Sequence, residues 1–354
     1  MSRLDDTRAI EAADPGGMHA HLVGFAEQLE SARAIGRDAP LSVRADGVTA
    51  VAVLGMGGSA IGGELLAAYA QDKLRVPLLV NRSYELPAFI GPETLVFVCS
   101  YSGNTEETLA AFEDALGRGA RIVCSTTGGR VGALAAERGL DVIRIPAGLP
   151  PRAALGYSFV PLLVALGRLG FLEDAEGELP DATAVAREAA SRLSGDVPAE
   201  RNAAKELSLW LEGRVPVVYG SVGRTAAIAS RWCGQFSENS KLVAHRNELP
   251  EMNHNEIVGW SAPGVLGRSA RVVFLTDDED HPRVARRMEV TAGMIEETGV
   301  AVRTLRGSGA TRLGRMFSLV VLGDFTSFYL SMLSGVDPTP VDPIDRLKST
   351  LARS

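Results

Sequence analysis

From Thr49 the chain reads as a short β-branched run (TAVAVL), a Gly-rich turn (GMGGS) and a helical pattern (AIGGELLAAYAQ). A second unit follows: LVFVC, the turn SYSGNT, a helical stretch from Glu106 to Leu116, and a further strand, RIVCS. Apolar strand runs alternating with helices predict βαβ units, hence a parallel sheet with helices on both faces, an α/β/α sandwich. The same order then returns. VPVVYGSVGRTAAIASRWCGQF (215–236) repeats strand, turn and helix, VVFLTDDEDHPRVARRMEVTAGMIEETG (272–299) parallels the second unit, and AVRTLRG stands where RIVCSTTGG stood. This period is far longer than that of solenoid repeats, so two copies of one α/β domain are predicted.

Between the copies, the stretch from Gly170 to Ala199 carries FLEDAEGELPDAT and SGDVPAE, which read as a connection with one intervening helix. The predicted organisation is an N-terminal helical extension over 1–44, a first domain over 45–175, a linker over 176–198, a second domain over 199–336, and a C-terminal helical segment over 337–354. Two domains plus extensions suit a chain of 354 residues.

Composition narrows the class. Hydrophobic residues make up 46% and charged residues 22%, the balance of a soluble protein with a sizeable core. Net charge is −7 with both signs interspersed, and no Lys/Arg-rich tract stands ready to release counterions from a nucleic acid. Nucleic acid is therefore not an expected partner, and an anionic substrate must be held by a local site. Cys99, Cys124 and Cys233 are an odd number in apolar surroundings, which reads as core residues in a reducing cytoplasm. The start, MSRLDDTRAI, is acidic where a secretory signal needs a positive flank. The most apolar stretch, Tyr157 to Leu172, is broken by Pro161, Gly167 and Arg168 and falls short of the roughly 20 residues a spanning helix needs. Neither export nor a membrane partner is expected.

Two turns carry candidate chemistry. GMGGSAIGG (55–63) places glycines between a strand and a helix N-terminus, where backbone N–H groups and the helix dipole favour a phosphate. The same glycines would equally serve a dinucleotide site or a tight turn, although the GxGxxG spacing with its acidic ribose residue is not met. SYSGNTEET (100–108) adds three hydroxyls, Ser100, Ser102 and Thr105, where a helix cap needs only one. The matching turn of the second copy is the acidic TDDEDH, which repels an anion, so only the first copy is expected to bind phosphate. His19, His21, His245 and His281 read as surface-loop histidines. No suitably spaced partners make His19 and His21 a zinc site, so neither metal nor cofactor is expected.

GMGGSAIGG, SYSGNTEETL, TTGGR (126–130), PPRAAL (150–155), FSENSK (236–241), PEMNHNEIVG (250–259) and DPTPVDPIDRLK (337–348) together resemble the bifunctional phosphoglucose/phosphomannose isomerases, built from two tandem sugar-isomerase (SIS) domains. The resemblance runs from about residue 45 to the C-terminus, and the first 45 residues carry none of it. It implies that Gly57, Gly58, Ser59, Ser100, Ser102 and Thr105 hold the phosphate of a hexose 6-phosphate. It further implies that Arg152 neutralises an enediolate, that Glu238 shuttles the proton between C1 and C2, and that His254 and Lys348 assist ring opening. A homodimer with shared active sites is implied as well, the loop bearing His254 reaching the neighbouring subunit. Without that context Glu238 reads as a solvated helix end, His254 and Arg152 as loop residues and Lys348 as a solvated helix lysine. A carboxylate base and an always-charged planar cation nevertheless suit proton transfer next to a developing oxyanion. Val341 stands where some relatives carry a threonine, a departure that bears on the mannose activity. A catalytically silent SIS protein that binds sugar phosphate is the competing reading, and a glutamine-dependent amidotransferase would want an N-terminal Cys nucleophile where Ser2 stands.

Overall fold

The computed structural model describes residues 2–351 and 353. Helices α1 (Thr7–Ala13), α2 (Met18–Val23) and α3 (Phe25–Asp38) precede the first sheet. That sheet is formed by β1 (Ala50–Leu54), β2 (Leu78–Asn81), β3 (Thr94–Ser100), β4 (Arg121–Thr126) and β5 (Asp141–Arg144), with α4 (Gly57–Ala70), α5 (Glu106–Gly117) and α6 (Gly129–Glu137) between strands. Helices α7 (Leu155–Arg168), α8 (Leu179–Leu193) and α9 (Ala203–Leu211) lead to the second sheet. It comprises β6 (Val215–Ser221), β7 (His245–Leu249), β8 (Ala270–Thr276) and β9 (Val302–Arg306), connected through α10 (Ala226–Glu238), α11 (Gly264–Ser269) and α12 (Pro282–Glu296). The chain closes with α13 (Arg312–Ser334) and α14 (Asp342–Leu351).

Both sheets are parallel throughout, in the orders β2-β1-β3-β4-β5 and β7-β6-β8-β9. Alternate side chains leave a strand on opposite faces, and here both faces are buried. In the first sheet Val51, Val53, Leu95 and Phe97 enter one core, while Ala52, Leu54, Val96 and Val98 enter another. In the second sheet Val218 and Val273 join the first of these cores, and Val217, Tyr219, Val272 and Phe274 build a third. One central core thus runs between the two sheets, each of which has its own outer core. This explains strand runs that are apolar at every position.

The central core includes Leu4, Ile10, Met18, Leu22, Phe25 and Leu29, so the N-terminal helices are structural members of it. Helix α3 packs on α7 and α8, and α8 on α13. The acidic stretch read as a connection therefore carries a helix whose Leu179, Ala182, Ala186, Ala190 and Leu193 are buried. Among the described residues one helix meets the length and composition needed to cross a membrane, and it is α13, not the 157–172 stretch: it has 23 residues, and its most apolar 18-residue window reaches a mean hydropathy of 1.5. Its most apolar window is 83% buried within this fold. Charged Arg315 and Asp324 on that helix are themselves buried against partners from elsewhere in the chain.

Candidate active site

In an open parallel sheet the ligand crevice lies outside the carboxyl ends of the strands where the order reverses. For the first sheet that point falls between β1 and β3. Gly57, Gly58 and Ser59 follow β1, and Ser100, Ser102 and Thr105 end β3 or follow it, so the two hydroxyl- and glycine-bearing turns flank one crevice. Gly57 holds φ of 47°, a left-handed conformation that costs a side-chain-bearing residue. A Cβ on Gly58 would lie 2.6 Å from the Pro151 carbonyl oxygen, so only glycine lets the start of α4 meet the turn carrying Arg152.

Helix α4 begins with no side-chain cap on its first N–H groups, and neither does α5, although Thr105 occupies its N-cap position. The Thr105 hydroxyl instead pairs with the Ser100 hydroxyl at 3.1 Å. Asn104 caps the neighbouring helix, its Oδ1 accepting from the Arg130 N–H at 3.1 Å. Ser59 Oγ accepts from the Tyr101 N–H at 3.1 Å, and Ser102 Oγ from the Asn104 N–H at 3.2 Å. Two helix N-termini with unspent donors and a set of hydroxyls make a cradle suited to an anion.

The equivalent point of the second sheet lies between β6 and β8, and there the protein's own side chains fill the space. Ser221 Oγ donates to Asp280 Oδ1, whose Oδ2 accepts from the Asp277 N–H at 2.8 Å. Asp277 pairs with Arg315 at 2.8 Å, and Glu279 bridges Arg315 and Arg312. The acidic TDDEDH turn is thus consumed in internal contacts. Burial holds the Asp280 carboxyl above its ordinary range.

A cavity of about 100 Å³ lies between the two halves, lined by Gly57, Gly58, Ile61, Arg82 and Arg152 from the first and by Ser230, Arg231, Gly234, Gln235 and Glu238 from the second. Glu238 is the last residue of α10 and half-buried. Its Oε2 lies 3.4 Å from Arg152 Nη1, and Arg152 is only 4% exposed. Burial pulls the Arg152 guanidinium below its ordinary value, against the pull of Glu238. Arg231, also buried, is held by both oxygens of Asp324, at 3.0 and 2.6 Å, and donates to the Arg152 carbonyl at 3.0 Å. Ser230 also lines a larger groove of about 590 Å³ between the edge strands β2 and β7.

The single chain does not bring every expected residue there. His254 is exposed on a 3₁₀ turn, Glu251–His254, and Lys348 is exposed on α14; neither lines the cavity. The turn bearing His254 is tied down by Glu256, which accepts from Tyr219, from Asn247 and from His245 Nε2 at 3.0 Å. Burial raises the Glu256 carboxyl, but those hydrogen bonds prevail and hold it down at about 2, while the hydrogen bond to Glu256 lifts His245 above its ordinary value. Three of the histidines read as surface-loop residues are otherwise employed. His245 is this latch, and His281 caps α12, its Nδ1 accepting from the Arg283 N–H at 3.2 Å. His19 lies on α2 against Phe325 and Phe328, accepting from the Gly195 N–H at 3.0 Å.

Sequence reasoning missed Arg231, Gln235 and Asp324. Their one signal was charge or amide inside otherwise apolar helical runs, IASRWCGQF and LVVLGDFTSF, where a polar side chain needs a buried partner. Among the described residues no group of three His, Cys, Asp or Glu side chains is placed to hold a metal ion.

Known proteins share this architecture. The family described as the bacterial phospho-glucose isomerase C-terminal SIS domain matches residues 200–351. A bifunctional phosphoglucose/phosphomannose isomerase of Caldicellulosiruptor bescii is 45% identical over 335 residues, 95% of this chain and 99% of that protein. Its counterpart in Aquifex aeolicus is 39% identical over 84% of this chain and 89% of its own length. Among solved structures, a hypothetical protein of Thermus thermophilus shares the fold, with a TM-score of 0.74 at 18% identity over 98% of this chain and 93% of the other. Fold, crevice and relatives define an isomerase built from two tandem SIS domains. The chain belongs to the bifunctional phosphoglucose/phosphomannose isomerase family.

Proposed function

We propose that this protein interconverts glucose 6-phosphate, and also mannose 6-phosphate, with fructose 6-phosphate by moving one proton between C1 and C2 through an enediolate. The observation that carries the proposal is the single cavity shared by Gly57, Gly58, Arg152 and Glu238, with Arg152 Nη1 3.4 Å from the carboxylate. The phosphate sits on the first-copy cradle of Ser59, Ser100, Ser102 and Thr105. Glu238 takes the proton from one carbon and returns it to its neighbour, a task for one base that reaches both. Arg152 meets the negative oxygens of the enediolate as they form. His254 and Lys348 assist ring opening. Because His254 is exposed and lies outside its own chain's cavity, it serves the site of a second copy in a two-fold homodimer. The base and the cation are both side chains, so the proposed route needs no metal, and activity is expected to survive chelation and dialysis. A cytoplasmic setting suits the free cysteines, Cys99 and Cys124 buried and Cys233 half-buried. No partner of nucleic acid or membrane is part of the proposal.

The placement of His254 and Lys348 outside the cavity is also what a silent sugar-phosphate-binding protein would show. Incubation with fructose 6-phosphate in heavy water, followed by chromatography of the hexose phosphates, separates the two. Aldose product carrying solvent deuterium at C2 is expected. Binding without any aldose product leaves only the silent reading.

A further inference from the structure

Arginine presents five N–H donors in a rigid planar fork, and most of the Arg152 fork is already committed. Its Nε donates to Asn239 Oδ1 at 2.6 Å, and its Nη2 to the carbonyls of Pro338 at 2.6 Å and Thr339 at 2.9 Å. Of the three nitrogens only Nη1 is left for Glu238, across a long 3.4 Å contact that another negative oxygen could replace.

The groups that hold the fork are themselves held. Asn239 Nδ2 donates to Ser327 Oγ at 2.9 Å, so its amide cannot turn over without losing both bonds. The strap over 338–340 is fastened by Lys241, whose ammonium donates to the carbonyls of Glu238 at 2.6 Å, Pro340 at 2.8 Å and Pro338 at 3.3 Å. That is three protons for three backbone acceptors. Lys241 also holds φ of 57°, a conformation rare for a residue with a side chain, as the chain turns after α10. Asn239 and Lys241 lie within three positions of Glu238, so one short segment supplies the carboxylate and fixes the cation opposite it.

We propose that Asn239 and Lys241 are positioning residues that act through Arg152: they commit its Nε and Nη2 and so present Nη1 as the donor edge for a substrate oxygen beside Glu238. The inference rests on the isomerase reading given above. Lys241 is exposed, so Lys241→Met should fold. Its kcat should fall about 10- to 100-fold, less than the loss of an oxyanion donor itself, while KM for fructose 6-phosphate stays unchanged because the phosphate cradle is untouched. Lys241→Arg, which can still donate to the strap carbonyls, should recover most of the rate. Asn239→Ser, too short to reach Nε, should show the same split between kcat and KM, with thermal melts confirming that it is folded. In an Arg152→Lys background, Lys241→Met should cost little more, because the fork it positions is gone. Hydrogen exchange at residues 337–341 should be faster in Lys241→Met than in the parent protein, a readout independent of turnover. If the parent protein produces no aldose, the isomerase reading falls and the clasp is judged by exchange alone. An active parent with unchanged kcat in Lys241→Met, equal losses in kcat and affinity, or unchanged exchange at the strap would each overturn the positioning role.

Discussion

At the scale of single residues, the contrast between the two copies lies in what occupies the crevice. Ser100 and Thr105 share a hydroxyl pair above uncapped helix ends, whereas Ser221 spends its hydroxyl on Asp280. Ser100→Ala and Thr105→Val should therefore each raise KM for fructose 6-phosphate, by about 1.5–3 kcal/mol for a hydrogen bond to a charged group, or roughly 10- to 150-fold. Asp280→Asn should leave KM where it is and show itself only in thermal stability. Steady-state kinetics on the three variants checks this, and equal KM effects in both copies would contradict a single phosphate site. The glycines and hydroxyls of the cradle were legible in the sequence because turn chemistry is local. Arg231 and Asp324 were not, since their pairing joins residues 93 positions apart and nothing local announces it.

At the scale of elements, the loop from Pro250 to Ser261 is latched to the second sheet in part through half-buried Glu256. Glu256 is depressed from 4.5 to about 2 by its hydrogen bonds, and His245 is raised above 6.5 by Glu256. A depressed carboxyl contributes stability above its unfolded value and loses it as pH falls towards 2; a raised histidine contributes below 6.5 and loses it as pH rises through its folded value. The latch should be firmest between about pH 4.5 and 6.5. Amide exchange at residues 251–261, corrected for intrinsic rates, should be slowest in that window and speed up above it. Glu256→Gln should abolish the minimum; a pH-independent profile in the parent protein would rule the latch out. His254 rides on this loop, so on the ring-opening role proposed above, loosening it at higher pH should lower the rate of ring opening before it affects proton exchange at C2. The motif PEMNHNE identified the loop, but the strand residues that fasten it, Tyr219, His245 and Asn247, became neighbours of Glu256 only when β6 and β7 paired.

At the scale of the whole molecule, the cavity is lined from both halves. Ion pairs also cross between the halves, Asp72 just after α4 taking Arg312 at 2.6 Å and Arg224 at 3.1 Å, while Lys73 reaches Glu178 of the connecting segment. The homodimer proposed above adds a third contribution, His254 from a neighbour. Glu238→Gln and His254→Ala proteins should each be nearly inactive alone. Refolded as a mixture, they should regain activity, because in a mixed dimer one site collects both lesions and the other collects neither. Demonstrated mixed dimers without recovered activity would reject the shared site.

The strand-turn-helix grammar, its duplication, the anion-suited turns of the first copy and the acidic replacement in the second were all set by residues close together in the chain. Short-range periodicity and turn chemistry are properties of a local window. What only the tertiary structure decided is of longer range: the incorporation of helices α1–α3 into the central core, the burial of the apolar helix α13, and the meeting of Arg152 with Glu238 across the halves. Those outcomes depend on which apolar faces cover one another, and a face becomes a neighbour of another only once the chain has closed loops of tens to hundreds of residues.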